Sequence, residues 1–250
     1  MKVPAIFVIN LDRSLDRLKS SESQLKDCGF KFERISAVDG KELVSDEIQK
    51  HYCKKKNNKE YHKELTRGEI GCYLSHRKVW QKIVDDKIEY AIILEDDFAI
   101  EGNINKTIST LNRIDFEWDY IKLATYKKRT RNIAFSQPIN NMHLVLFNKA
   151  MAGTCAQAVS YSGAKKLLLN SAQFGRPIDI DLQYWWEKNI ELFALLPYPF
   201  APDLSLASDI AAMKPHDIKI KTKFWKRKLQ QLDFIYRNNR ERTQLIQKYK

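Results

Sequence analysis

The sequence predicts an α/β fold: a single domain with a mainly parallel central sheet over residues 1–213, then a basic helical C-terminal tail over 214–250. Three observations carry this. Residues 3–40 read β-α-β, the opening of a parallel sheet with a right-handed crossover. Short apolar runs then alternate with helical spacings as far as residue 196. The charge is lopsided, with 12 Lys and Arg against three acids from Lys214 onward and 31 against 28 before it.

The apolar run at 3–9 is the first strand. It meets Asp12 and Arg13 with no small-residue cleavage site, so it reads as a strand and not as a signal peptide. Leu15, Leu18 and Leu25 follow at roughly helical spacing, and Gly29 stands where that helix should stop. "FKFERI" at 30–35 alternates as a strand does and ends in the turn "AVDG". Residues 41–65 are polar and Lys-rich, an expected inserted lobe or mobile loop. Thr66 and Glu69 then form a T-x-x-E capping box for a helix reaching about Asp85. One side of that helix is apolar. Gly68, Gly71, Cys72 and Ser75 give it a second face of small side chains, which either another backbone or a ligand can approach closely. Further strands are expected at 90–94, 119–124, 143–147, 155–160 and 192–196, and helices near 103–113, 162–171 and 181–189.

At 250 residues and 44% hydrophobic, the chain can bury a sizeable core. Its longest apolar runs, such as "LFALLPYPFA" at 192–201, are proline-broken and far short of the roughly 20 residues that span a bilayer. A cytoplasmic protein is therefore expected. Four cysteines without a CxxC pair argue against both a disulfide framework and a structural zinc site.

"YAIILEDDFAI" at 90–100 sets Glu95, Asp96 and Asp97 at the end of an apolar strand. Two unit charges 4 Å apart repel by about 1 kcal/mol in water and about 4 kcal/mol near a protein surface. Three carboxylates there need a cation, protonation or a helix N-terminus. One reading makes an acid the cap of the helix near Asn103, or leaves the acids solvated. The other starts from parallel sheets binding ligands beyond the carboxyl ends of their strands. Residues 95 and 97 share one face of an extended segment, so Glu95 and Asp97 can hold one hard divalent ion, Mn²⁺ or Mg²⁺, together with substrate phosphates.

Several segments in order resemble glycosyltransferase family 25: "VINLDRSLDR" at 8–17, "RISAVDGKEL" at 34–43, "LTRGEIGCYLSHRKVW" at 65–80, "IILEDD" at 92–97, "GTCAQAVSYSGAKKLL" at 153–168 and "PIDIDL" at 177–182. The resemblance implies a GT-A-like fold, a nucleotide-sugar donor, most often UDP-galactose, Mn²⁺ (or Mg²⁺) on a carboxylate motif, and inversion to a β linkage. Carried onto this chain, Glu95 and Asp97 are the metal ligands and Asp96 lies near the donor ribose or sugar. Asp179 is the general base with Asp181 as runner-up, unless Asp179 merely caps the helix that follows. Asn10, Arg13, Arg17 and Asp39 match the nucleotide end, although Arg17 also suits a solvated helix face and Asp39 a turn. Ser75 and His76, beside the small-residue face, are candidates for touching donor or acceptor, His76 equally for a packing role. The Lys-rich stretch at 54–63 and "TYKKRTRN" at 125–132 are candidate acceptor loops.

The tail interleaves its cations with Phe224, Trp225, Leu229, Leu232, Phe234, Ile235, Tyr236, Leu245, Ile246 and Tyr249. Basic aromatic helices suit anionic membrane surfaces, so attachment to the cytoplasmic face of the inner membrane and a lipid-linked oligosaccharide acceptor are expected. Nucleic acid is disfavoured as a partner because no recognised binding motif accompanies the charge. The competing reading of the whole chain is a basic nucleic-acid- or membrane-binding module with an inactive transferase-like core. The intact acid cluster favours an enzyme that moves galactose from UDP-galactose to a terminal sugar of bacterial lipooligosaccharide.

Overall fold

The computed structural model describes residues 3–126, 131–205 and 224–249. In chain order the elements are β1 (Ala5–Asn10), α1 (Leu15–Asp27), β2 (Glu33–Ser36), α2 (Ser45–His51), α3 (Lys54–Glu60), α4 (Arg67–Asp85), β3 (Tyr90–Glu95), β4 (Phe98–Ile100) and α5 (Ile104–Leu111). There follow β5 (Tyr120–Lys122), β6 (Ile133–Ile139), β7 (Met142–Phe147), β8 (Ala156–Ser160), α6 (Tyr161–Leu169), α7 (Ile178–Asp181), a 3₁₀ segment (Leu182–Lys188), β9 (Leu192–Leu196), β10 (Phe200–Pro202) and α8 (Phe224–Lys248).

Eight strands form one sheet in the order β2-β1-β3-β8-β5-β9-β7-β6. Followed across its pairings, β2, β1, β3, β5, β9 and β6 run one way and only β8 and β7 oppose them. The expected mainly parallel sheet is thus present in strand direction, with the two reversed strands leaving β2-β1-β3 and β5-β9 as the parallel ladders. β1 and β3 are almost wholly buried apolar runs, as strands covered on both faces must be. Together with β5 they point their carboxyl ends to one edge, which is where the acid cluster emerges.

The capping box of α4 forms as expected: Glu69 N–H donates to Thr66 Oγ1 at 3.1 Å, and Thr66 N–H to Glu69 Oε2 at 2.8 Å. Its small-residue face is met by backbone. A Cβ on Gly71 would lie 2.6 Å from the Val38 carbonyl oxygen, so the 37–40 turn can sit against α4 only because position 71 is glycine. The stretch expected as a lobe or mobile loop holds α2 and α3 instead, and these are tied down. The buried Asn57 amide donates to the carbonyls of Lys63 and Gly175 at 2.8 and 2.7 Å, and Cys53 N–H to Phe174 O at 3.0 Å. Each helix has seven residues, too few to show periodicity.

The unexpected β6 is an edge strand, and Pro138 inside it masks the pattern. An edge is where a sheet tolerates a residue without an N–H. β4 and β10 make a separate two-stranded antiparallel sheet. α8 lays Phe234 and Leu245 into the body of the protein, and Tyr249 packs among Phe116, Phe135 and Phe193. Its opposite face exposes Trp225, Leu229, Leu232 and Tyr236. Among the described residues no helix is long and apolar enough to cross a membrane.

Candidate active site

β3 ends at Glu95, and Asp96 and Asp97 form the turn into β4. The extended face assumed for residues 95 and 97 is therefore absent, and the three acids diverge, each into different surroundings. The helix-cap reading also fails, because α5 is capped by Asn103, whose Oδ1 accepts from Lys106 N–H at 2.9 Å.

Glu95 points back into the protein. Its Oε1 accepts from Thr154 Oγ1 at 2.6 Å and lies 2.9 Å from His76 Nε2. His76 is 1% exposed and meets the Gln157 amide at 3.3 Å through Nδ1, so it braces Glu95 from behind. Burial would raise the Glu95 carboxyl, but His76, Thr154 and the charge of Lys122 outweigh it and hold it below the usual range. Cys72 Sγ, a ring nitrogen of His76 and a carboxylate oxygen of Glu95 all lie within 4.8 Å of one another, a set able to hold a metal ion, although burial pushes the Cys72 thiol well up.

Asp96 belongs to the β1 end. It accepts from Asn10 Nδ2 at 2.7 Å and from Arg17 Nη1 at 3.1 Å, and the Asn10 Oδ1 accepts from Arg34 Nε at 3.0 Å. Burial raises its carboxyl, and Asn10 and Arg17 offset part of that.

Asp97 is compensated only in part, chiefly by the charge of Arg17. Its Oδ1 is buried with no hydrogen-bond partner among the described residues. Burial, reinforced by the charges of Glu95 and Asp96, pushes its carboxyl up to about 7. A hard divalent cation beside that oxygen would relieve both the desolvation and the repulsion, so these residues fit the metal that the acid motif implies.

A cleft opens along these acids. Arg17, Val38, Gly40, Gly68 and Ser75 are among the residues that line it, together with Cys72, His76, Glu95, Asp96 and Asp97. Ser75 is used structurally: its Oγ donates to Gly71 O at 2.7 Å and accepts from Val38 N–H at 2.8 Å, pinning the 37–40 turn to α4. Arg13 and Asp39 form an ion pair, and Asp39 Oδ1 also accepts from Lys41 N–H at 3.0 Å, the turn role weighed for it.

Asp179 and Asp181 separate. Asp181 is 1% exposed. It accepts from Tyr73 OH at 2.7 Å, from Arg176 Nη1 at 3.1 Å, and pairs with Lys188 Nζ at 2.7 Å. With its oxygens committed to a buried ion-pair network, Asp181 has no route to an acceptor's proton and is a structural residue. Asp179 is inside α7, and its helix's N-cap is Pro177, so it is not an N-cap. Burial raises its carboxyl, opposed by the charge of Lys122 and by the backbone N–H groups of Gly153 and Ile180.

Sequence reasoning missed Lys122, Thr154 and Gln157. Lys122, the last residue of β5, is 2% exposed, and burial lowers its ammonium to about 8 against the pull of Asp179 and Glu95. A lysine inside the apolar run "YIKLA" was the available signal. Of the loop at 125–132, residues 127–130 lie outside the described residues.

A sequence model of glycosyltransferase family 25, described as an LPS biosynthesis protein, matches residues 3–182. Procollagen galactosyltransferase 1-B of Xenopus laevis is 29% identical over 188 residues, which are 72% of this chain and 30% of that one. A glycosyltransferase 25 family member of Drosophila pseudoobscura pseudoobscura is 32% identical over 168 residues, 65% of this chain and 26% of its own. The chain spans less than a third of the length of these curated relatives. Among solved structures, a glycosyltransferase involved in the glycosylation of the major capsid of PBCV-1 is 13% identical with a TM-score of 0.45, covering 84% of this chain and 97% of that one.

Proposed function

Because the chain belongs to glycosyltransferase family 25, we propose that it is a metal-dependent inverting enzyme. In this reading it moves galactose from UDP-galactose, in β linkage, to a terminal sugar of a bacterial lipooligosaccharide. The observation that carries the catalytic part is the Asp97 Oδ1 without a hydrogen-bond partner, on a residue that lines the cleft. The donor sugar leans on relatives named procollagen galactosyltransferases, and the acceptor on the family's description as an LPS biosynthesis protein.

In this reading Asp97 is the principal metal ligand, and Glu95, braced by His76 and Thr154, supports it. A bound Mn²⁺ or Mg²⁺ supplies Lewis-acid neutralisation of the charge that develops on the leaving diphosphate, a contribution of several kcal/mol. Asp96, fixed by Asn10 and Arg17, orients the donor beside the β1 end. Asp179 takes the proton of the acceptor hydroxyl as its oxygen bonds to the sugar carbon. The bond to diphosphate breaks on the opposite face, its electron pair leaves with UDP, and the configuration inverts.

The test is turnover across UDP-sugars with Mn²⁺ and with a chelator. Mn²⁺-dependent release of UDP from UDP-galactose is expected, and no metal-dependent turnover with any UDP-sugar would sink the reading.

One observation favours a lipid-linked acceptor reached at an anionic membrane. Trp225, Leu229, Leu232 and Tyr236, spaced i, i+4, i+7 and i+11, make one exposed apolar stripe on α8, on a helix rich in Lys and Arg. The inner face of α8 covers the core, so the test must spare it. Leu229→Ser with Leu232→Ser should lose binding to anionic liposomes while keeping turnover on a soluble acceptor; undiminished liposome binding would refute the attachment.

A further inference from the structure

Cys72 and His76 stand one turn apart on α4, so their side chains leave the same face of the helix. That face meets the end of β3, where Glu95 completes a triangle: its Oε1 lies 2.9 Å from His76 Nε2 and 3.9 Å from Cys72 Sγ. A tetrahedral Zn²⁺, with a thiolate at about 2.3 Å and nitrogen and oxygen ligands at about 2.1 Å, spaces such atoms about 3.3–3.6 Å apart. One contact must open and the other close, each by about 0.4 Å. All three residues line the cleft, which gives an ion its way in. Thr154 Oγ1, already donating to Glu95 Oε1 at 2.6 Å, is the kind of outer restraint that a metal-binding carboxylate carries.

Gln157 supplies an independent sign. It is 1% exposed, its amide nitrogen meets His76 Nδ1 at 3.3 Å, and its buried Oε1 has no hydrogen-bond partner among the described residues. With the amide nitrogen donating to Nδ1, the ring proton sits on Nε2 and goes to Glu95. A half-turn of the amide puts Oε1 where it accepts from Nδ1–H, and the Nε2 lone pair is then free for a cation.

We propose that Cys72, His76 and Glu95 form a site for a borderline-soft divalent cation of the Zn²⁺ class, its fourth position open to the cleft, and that an ion there inhibits transfer by taking Glu95 from the catalytic metal. Thiolate and imidazole select such an ion, whereas Mn²⁺ and Mg²⁺ prefer oxygen. The ion takes Cys72 as its thiolate, so the thiol proton leaves to solvent, and the imidazole stays neutral with its proton on Nδ1. Asp97 is outside this set. The inhibitory half rests on the proposed function, and the site itself does not.

The experiment uses Co²⁺ as a spectroscopic stand-in for Zn²⁺ in the full chain stripped of metal. Wild type should bind one Co²⁺ with a sulfur-to-cobalt charge-transfer band in the near ultraviolet, and Zn²⁺ should bleach it. Cys72→Ser should lose the band and weaken Zn²⁺ binding, measured against a chromophoric chelator, by about 10²-fold or more, beyond what loss of an outer partner typically costs. The band should survive Cys28→Ser and Cys53→Ser, which remove the other thiols with access to solvent, and also Asp97→Ala. A wild type without the band, a band that persists in Cys72→Ser, or one lost in Asp97→Ala overturns the site. If Cys72→Ser does not fold, Glu95→Gln takes its place: Zn²⁺ affinity should fall by a similar factor, and unchanged affinity overturns the site.

Inhibition is read separately, as UDP release from UDP-galactose at fixed Mn²⁺. Zn²⁺ should inhibit wild type, and half-inhibition of Cys72→Ser should need about 10²-fold more of it. Equal sensitivity overturns the inhibitory half. Absence of Mn²⁺-dependent turnover would instead sink the proposed function, and the cobalt spectra would still decide the site.

Discussion

Asp181 is a buried acid and Asp97 a half-buried one with a buried Oδ1, and their surroundings are opposites. Asp181 has Tyr73, Arg176 and Lys188 around it. Arg176 is itself pinned by Glu187 at 2.6 Å and by the Tyr184 ring 3.6 Å from its guanidinium carbon. Burial would raise the Asp181 carboxyl, but Lys188 and Arg176 hold it below the usual range. Asp97 has two acids as neighbours and an Oδ1 with no hydrogen-bond partner; the charge of Arg17 offsets only part of this, and its carboxyl goes up. A charge that the protein has already balanced is a strut. A charge left unbalanced at a cleft is where something from outside is meant to bind.

The comparison is broken most directly at Asp97. Asp97→Ala should reduce Mn²⁺-dependent turnover by about 10³-fold or more, since several kcal/mol of charge neutralisation goes with the ligand. The folded protein should lose no thermal stability, because the group removed is repelled where it stands. Turnover that survives, or a collapse in melting temperature, would make Asp97 a strut after all.

Asp181→Asn should do the reverse. It strands the buried Lys188 ammonium and takes one of the carboxylates of Arg176, which keeps Glu187, and breaking a buried pair from one side costs about 3–5 kcal/mol, read as a lowered urea midpoint. The fraction that remains folded should keep kcat within a few-fold. A stable but inactive Asp181→Asn would return Asp181 to the list of catalytic groups.

The pH dependence sharpens the contrast. Asp97 is raised from an ordinary aspartate's 3.8 to about 7, so the folded state binds its proton more tightly than the unfolded chain does. That contribution favours folding below about pH 4 and is lost as pH rises towards about 7. Without metal, wild type should therefore be less stable at pH 7 than at pH 5 by roughly 2 kcal/mol from this group, discounted for solvent at the cleft. Asp97→Asn should flatten that difference. Mn²⁺ should raise the melting temperature of wild type at pH 7 and leave Asp97→Asn unmoved.

Strand-and-helix alternation up to Leu196 was legible because each element carries a local signal: buried apolar runs in β1 and β3, the Thr66–Glu69 box on α4. α2, α3 and β6 were not, because seven-residue polar helices and a proline-bearing edge strand carry no period. In the proposed site, the acid motif and the candidate base Asp179 were picked out by segment resemblance. The separate fates of Glu95, Asp96 and Asp97 could not, since they depend on partners far away in sequence, at 76, 154, 10 and 17. Asp179 and Asp181 look equivalent in "PIDIDL"; only the helical turn that sends one toward Gly153 and the other toward Arg176 tells them apart.

The smallest expected effect concerns how firmly Glu95 is held. Thr154 Oγ1 donates to Glu95 Oε1 at 2.6 Å, and His76 holds the same oxygen. Thr154→Val keeps the side chain's shape and deletes one of these two restraints. A hydrogen bond to a charged group is worth about 1.5 kcal/mol at the low end, and groups that orient a metal-binding carboxylate typically change affinity by 10–100-fold. Since His76 remains, the lower figure applies: the Mn²⁺ concentration for half-maximal turnover should rise about tenfold, with kcat at saturating Mn²⁺ little changed. An unchanged Mn²⁺ requirement would mean that Glu95 belongs with Asp181 as a balanced strut, and that Asp97 carries the metal without it.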